Sequence, residues 1–285
     1  MPTSFLDRLD HVLCETNSLV SVGLDPDPAR TPFPLRRQSR ARALEAFLGG
    51  IVEATRPYVS AYKMQLAAYW SYGAAGFGAL ERVVRTIGPE RIKILDLKAN
   101  DVPNTMRLLA DGAFEVFGFD AITVTPWVGW ESLVPIAARP ERGYFVVAHT
   151  SNPGSRDFQE IRRGSSRLWI EIVRKVGRLA RAKGNAGVVI GATDPRAVAR
   201  ARSALGGRGA ILLPGIGAQR GDLAASISGG VDHNGRGLLA AASRSILYAS
   251  SESDWRSAAA HEARRLRDEI NDLREPRRRA SAAGR

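Results

Sequence analysis

The stretch ILDLKANDVPNTM, residues 94–106, begins as a buried strand and then fills with charge. Ile94, Leu95 and Leu97 are apolar, while Asp96 and Lys98 stand two apart, a spacing that projects both from one face of a strand. Asp101 follows three residues later, past the expected strand end. A carboxylate, an ammonium and a second carboxylate this close together suit a strand whose end opens onto a site. A burying alone, without partners, would make such a set costly.

Outward from this segment, short apolar, β-branched runs recur with helical patterns between them. Strands are predicted at 19–26, 59–65, 91–98 and 121–127, then at 143–151, 186–193, 210–217 and 239–247. One of the intervening helix-like segments, DPRAVARARSALGG, opens with Asp194 as N-cap and Pro195 in the first turn. Strand–helix alternation predicts a parallel sheet, and eight strands in about 230 residues match a (β/α)8 barrel. A doubly wound open sheet is the alternative. Nearly every predicted strand ends on a chemically capable residue: Asp25, Lys63, Asp96 with Lys98, Thr125, Ser151, Thr193, the PGIGAQ turn and Arg244. An open sheet gathers its ligand groups at one switch point, whereas a ring of polar strand ends fits the mouth of a barrel. The expected fold is therefore α/β, a (β/α)8 TIM barrel. Residues 1–273 are expected to form one catalytic domain and 274–285 a basic, disordered tail. The polar stretch from Gln219 to Leu238 is expected to be a long loop with a short helix near its start.

Composition sets the outer bounds. At 285 residues, 44% hydrophobic and 25% charged, the chain reads as an ordinary soluble globular protein. The opening MPTSFLDRLDHVLCETN lacks the apolar run of a signal peptide, no segment has the apolar length of a membrane span, and Cys14 is the single cysteine. A cytoplasmic, soluble protein with no membrane association is expected. The net charge of +12 raises the question of nucleic acid. Its excess is spread over helices and a terminal arginine run, with little aromatic interleaving, so solvated arginine-rich faces are expected and no nucleic-acid partner. Such a protein would still attract anionic small molecules. Lysine is confined to Lys63, Lys93, Lys98, Lys175 and Lys183 in a chain that otherwise uses arginine. Of these two cations only lysine can give up its proton, so acid–base work by a cation of this kind requires lysine.

Lys63, at the end of the strand before Asp96, adds a second ammonium to the charged set. At this point the chain resembles the orotidine 5′-monophosphate decarboxylase family. Its D-x-K-x-x-D hallmark, followed by a Pro-Asn-Thr turn, stands here as DLKANDVPNT. VGLDPDP, AYKMQLAAYW, TSNPGSRDFQ, GATDP, PGIGAQ and SRSILYA follow the family's order from about Val22 to Ala249, and the wording is most similar to its longer bacterial branch. The resemblance implies decarboxylation of orotidine 5′-monophosphate to uridine 5′-monophosphate, in pyrimidine biosynthesis, with no metal and no organic cofactor. It implies Lys98 as proton donor beside Asp96, with Lys63 and Asp101 holding it. Asp101 and Thr105 would reach the neighbouring subunit's site in a homodimer. Asp25 is implied at the ribose, Ser151 at the pyrimidine edge, and Gly215, Gly217, Gln219 and Arg244 at the phosphate. Two departures stand out: Arg220 interrupts the Gly-Gly that often follows GAQ, and KAND replaces the branch's usual Lys-Arg-Gly-Asp.

Two other readings compete. Mg2+-dependent decarboxylases and aldolases of keto-sugar phosphates share D-x-K-x-x-D, and TSNPG and GLDP argue against them. A nucleotide- or RNA-binding barrel without catalysis is opposed by the intact lysine–aspartate set. His11, His149, His233 and His261 lack metal-ligand spacing, and His149 is expected to be a hydrogen-bonded core or rim residue. Trp70, Trp127 and Trp130 are expected near the barrel or a dimer face.

Overall fold

The computed structural model describes residues 4–216 and 223–283, the stretch 276–283 in backbone only. Eight parallel strands close into a barrel: β1 (Val20–Gly23), β2 (Ala61–Gln65), β3 (Ile92–Ala99), β4 (Ala121–Val124), β5 (Gly143–His149), β6 (Ala186–Ile190), β7 (Ala210–Pro214) and β8 (Leu238–Ala242). Each strand pairs with its sequence neighbour, and β1 closes the ring on β8 with Val20 opposite Ala240. All eight predicted strands are present. Several were drawn too long at their C-terminal ends, because there the chain leaves the ladder to build the loops of the mouth.

Barrel strands are covered on both faces, which is why they read as near-continuous apolar runs. In β1, β4, β6 and β8 every residue is buried. Outside the strands run α2 (Arg40–Thr55), α3 (Ala74–Ile87), α4 (Pro103–Asp111), α5 (Leu168–Lys183), α6 (Pro195–Leu205), α7 (Leu223–Gly230) and α8 (Trp255–Ala283), with a shorter turn, Val134–Ala137, between β4 and β5. As the sequence suggested, Asp194 caps α6, accepting from the Arg196 and Ala197 amides at 3.0 and 3.1 Å. The predicted loop from Gln219 contains α7 near its start; Gln219 itself lies outside the described residues.

A first helix, α1 (Phe5–Glu15), lies across the N-terminal end of the barrel. Ser4 and Asp7 form a capping box, and Phe5, Leu6, Leu9, Val12 and Leu13 are buried. The Phe5 ring meets Phe145 edge-on at 6.0 Å between centroids. It sits so close over Gly143 that a Cβ there would lie 2.4 Å from the ring, so glycine is what admits the plug. At the same end Lys93 pairs with buried Asp120 at 3.2 Å, and Arg8 joins Asp120 at 2.7 Å. Lys93 is thus a structural lysine, at the opposite end from the mouth.

The tail departs from expectation. α8 continues to Ala283, past the boundary drawn at residue 273. Arg274, placed in the disordered segment by its arginine-rich surroundings, is 1% exposed and donates to the Asn17 side chain at 2.9 Å and the Gly235 carbonyl at 3.2 Å. Those bonds tie the helix to the barrel body. Among the described residues no helix is long and apolar enough to cross a membrane.

Candidate active site

The C-terminal ends of β1, β2 and β3 bring four of the predicted charged residues into contact. Asp96 receives Lys63 Nζ on Oδ2 at 3.0 Å and Lys98 Nζ on Oδ1 at 2.7 Å. Lys63 Nζ also lies 3.6 Å from Asp25 Oδ2, while Asp25 Oδ1 accepts the Gln65 amide at 2.9 Å. Asp25, Lys63, Asp96 and Lys98 therefore form one chain of alternating charge. Lys63 and Asp96 are 7% and 8% exposed, so water supplies little of their solvation and each depends on its partners. The Lys98 side chain, at 46%, opens towards solvent.

Electrostatics follow from this order. Burial raises the Asp96 carboxyl, but the Lys63 and Lys98 ammonium groups outweigh it and push its pKa down to about 2. Burial likewise disfavours the Lys63 ammonium, yet the Asp25 and Asp96 carboxylates prevail and its pKa is raised. Both groups are held ionised at neutral pH.

β3 achieves this with an irregularity. Its pairing with β4 runs Leu95 to Ile122 and then Ala99 to Val124, so β3 carries extra residues around Asp96–Lys98. Lys98 adopts φ +50°, the left-handed region that a residue with a Cβ seldom occupies. Asp96 and Lys98 share a face as the i, i+2 spacing predicted, but through a bulge and not a regular strand.

A cavity of about 530 Å³ opens beside the network, lined by Asp25, Lys63 and Asp96, by Gly215 after β7, by Arg244 after β8 and by Arg30 from the loop after β1. Gly215 has φ +94°, which explains the glycine. Arg30 escaped sequence reading because it lies in a proline-rich loop among many arginines. Its guanidinium stacks 4.0 Å over the Tyr248 ring, and the Tyr248 hydroxyl accepts the Asp27 amide at 2.7 Å. Thr123 was also missed: it stands inside β4 and donates to Asp96 Oδ1 at 2.8 Å.

Other predicted residues lie apart from this network. Asp101 Oδ1 accepts the Val102 amide at 2.7 Å, and among the described residues it forms no ion pair with Lys98, whose ammonium pairs with Asp96. Thr105 is in the first turn of α4. Ser151 is exposed on the turn after β5, beside Thr150, which bonds Asn152 at 2.7 Å and Gln159 at 2.8 Å. Gly217, Gln219 and Arg220 lie outside the described residues. His149 is a rim residue as expected, its Nε2 2.9 Å from Glu160.

A family model described as "Orotidine 5'-phosphate decarboxylase / HUMPS family" matches residues 18–258. A curated relative from Bordetella avium, named orotidine 5'-phosphate decarboxylase, is 40% identical over 95% of this chain and all of its own length. One of the same name from Thermomicrobium roseum is 39% identical over 95% of this chain and 96% of its own. The solved structure of Leishmania donovani OMP decarboxylase superposes with a TM-score of 0.81 at 34% identity, covering 95% of this chain and 98% of that one. With a barrel whose β3 carries the Asp96–Lys98 pair, and with relatives matched along nearly their whole length, the chain belongs to the orotidine 5'-phosphate decarboxylase / HUMPS family.

Proposed function

We propose that this protein decarboxylates orotidine 5′-monophosphate to uridine 5′-monophosphate without metal or organic cofactor, in pyrimidine biosynthesis. The observation that carries the reading is the alternating Asp25–Lys63–Asp96–Lys98 chain, whose first three members line a cavity that also presents Arg30 and Arg244. Arg244, with Gly215 beside it, offers a fixed-charge fork for a phosphate at the β7–β8 ends, where barrels commonly bind one. Gly217 and Gln219 extend this role in the proposal. Asp25 and Lys63 suit the ribose hydroxyls, and Ser151 the pyrimidine edge.

In the reaction the bond from C6 to its carboxylate breaks and CO2 departs with the electron pair left on C6. The Lys98 ammonium stabilises that charge and donates a proton to C6, becoming a neutral amine that solvent reprotonates. Asp96, held ionised by Lys63, stands beside the departing carboxylate. Its repulsion acts on the substrate more than on the developing carbanion. Lys63 keeps Asp96 charged and in place.

The enzyme is proposed to act as a homodimer. Among the described residues Asp101 forms no hydrogen bond or ion pair with a lysine, and the surrounding surface carries exposed Val102, Trp127, Val128 and Phe158. A partner subunit covering this face would receive Asp101 and Thr105 at its own Lys98. The exposed, unpaired Cys14 suits the cytoplasm, where we place the enzyme.

Ultraviolet absorbance of orotidine 5′-monophosphate with purified protein in EDTA, beside Lys98→Ala, tests the proposal. Rapid conversion by the wild type, reduced at least ~1,000-fold in the variant, is expected when a proton donor and charge stabiliser are removed together. No conversion by folded wild-type protein, or conversion only with Mg2+ supplied, would overturn it.

A further inference from the structure

We propose that Thr123 is a positioning residue for this reaction: its hydroxyl holds the Asp96 carboxylate and the Lys98 main chain in one fixed arrangement, which aims the Lys98 ammonium. The inference rests on the decarboxylase reading for its chemistry and on β3 and β4 for its geometry.

The Thr123 hydroxyl is used twice. It donates to Asp96 Oδ1 at 2.8 Å and accepts the Lys98 amide at 2.9 Å. Asp96 Oδ1 in turn receives Lys98 Nζ at 2.7 Å. Hydroxyl, carboxylate, ammonium and amide thus close a ring through Lys98 itself. Thr123 is 1% exposed, so water does not replace it.

The bulge explains why a ring is needed. Where β3 and β4 lose register between Leu95 and Ala99, the Lys98 amide leaves the ladder and requires another acceptor. Lys98 also sits at φ +50°, a conformation that is strained for an L-residue and persists only where neighbours over-determine it. A glycine or asparagine would occupy that backbone more easily, but neither has an ammonium. The threonine hydroxyl holds the lysine in a conformation it would otherwise leave. A methyl in its place would strand the Lys98 amide and take one donor from Asp96, while the cavity wall at Asp25, Gly215 and Arg244 stays as it is.

Two variants test this, Thr123→Val and Thr123→Ser, with steady-state kinetics, uridine 5′-monophosphate affinity and a crystal structure of each. Thr123→Val is expected to lower kcat about 10- to 100-fold, with KM and nucleotide affinity within about threefold, as befits an interaction that matters mainly in the transition state. Thr123→Ser is expected to restore kcat to within about threefold of wild type, because the hydroxyl returns. The proposal is overturned if Thr123→Val keeps kcat within about twofold, if its loss lies in KM alone, or if both variants fall together with loss of nucleotide binding. Should the wild type show no turnover at all, the decarboxylase reading fails and the crystal structures decide the clamp separately. Lys98 leaving its left-handed conformation in Thr123→Val supports the clamp, and Lys98 retaining it overturns it.

Discussion

Asp96 stands between two ammonium groups and a hydroxyl, and its two oxygens take bonds from Lys63, Lys98 and Thr123. Its proton affinity is lower in the folded protein than in the unfolded chain, about 2 against an ordinary 3.8. Its contribution to stability is therefore whole above about pH 4 and is lost as pH falls towards 2, amounting to roughly 2 kcal/mol. Urea denaturation at pH 4.5 and 2.5 should show most of that, about 1.5 kcal/mol more acid loss in the wild type than in Asp96→Asn. Equal losses in the two proteins would refute the assignment of this charge. The residue types of the network were legible in the sequence, because Asp96, Lys98 and Lys63 interrupt otherwise apolar strands. Thr123 was not, since a threonine is at home in any strand and only the shifted β3–β4 register turns it towards Asp96. Arg30 was hidden for the opposite reason: one more arginine in this chain carries no distinction.

Secondary elements divide into those that shape the mouth and those that hold the ring. α1 belongs to the second kind. Its phenylalanine fills the barrel floor against Gly143 and Phe145, far from the Lys98 end of β3. Phe5→Ala is expected to cost about 3–5 kcal/mol through lost burial and the cavity left behind. Thermal or urea melts would measure that loss, and kcat of the folded fraction should stay near the wild-type value; a collapse of kcat in folded protein would show the floor and the mouth to be coupled. The Ser4–Asp7 box that starts α1 was present in the sequence as S-x-x-D, yet its role as a plug depends on Gly143 and so on distant packing. The eight strands were readable for a simpler reason, since segments buried on both faces are apolar throughout. Their C-terminal limits were not, because residues such as Asp25 and Ser151 continue each strand's pattern beyond its last ladder bond. α8 shows the converse error: arginine-rich composition suggested disorder, but Arg274 finds carbonyl and amide partners on the body.

At the scale of the whole molecule the proposed dimer makes a quantitative demand. If Asp101 serves the partner's Lys98, neither Lys98→Ala nor Asp101→Ala homodimers should turn over substrate, whereas a hybrid of the two holds one intact site and one doubly broken site. Random re-association of equal amounts should restore about a quarter of wild-type activity, since roughly half the dimers are hybrids with one working site each. No recovery after verified subunit exchange would place Asp101 outside the shared site.

Closure of the ring has a consequence for how the protein is made. β1 finds half of its hydrogen-bonding partners on β8, with Val20 opposite Ala240 and Val22 opposite Ala242. About 220 residues of synthesis separate the two strands, or roughly 10–40 s at ordinary elongation rates. For that interval a nascent chain has an apolar first strand with one edge unpaired, the kind of surface that recruits chaperones or foreign strands. Seven strands can assemble beside the ribosome, but the wall that carries Arg244 is the last to arrive, so that side of the cavity is completed only when the barrel shuts.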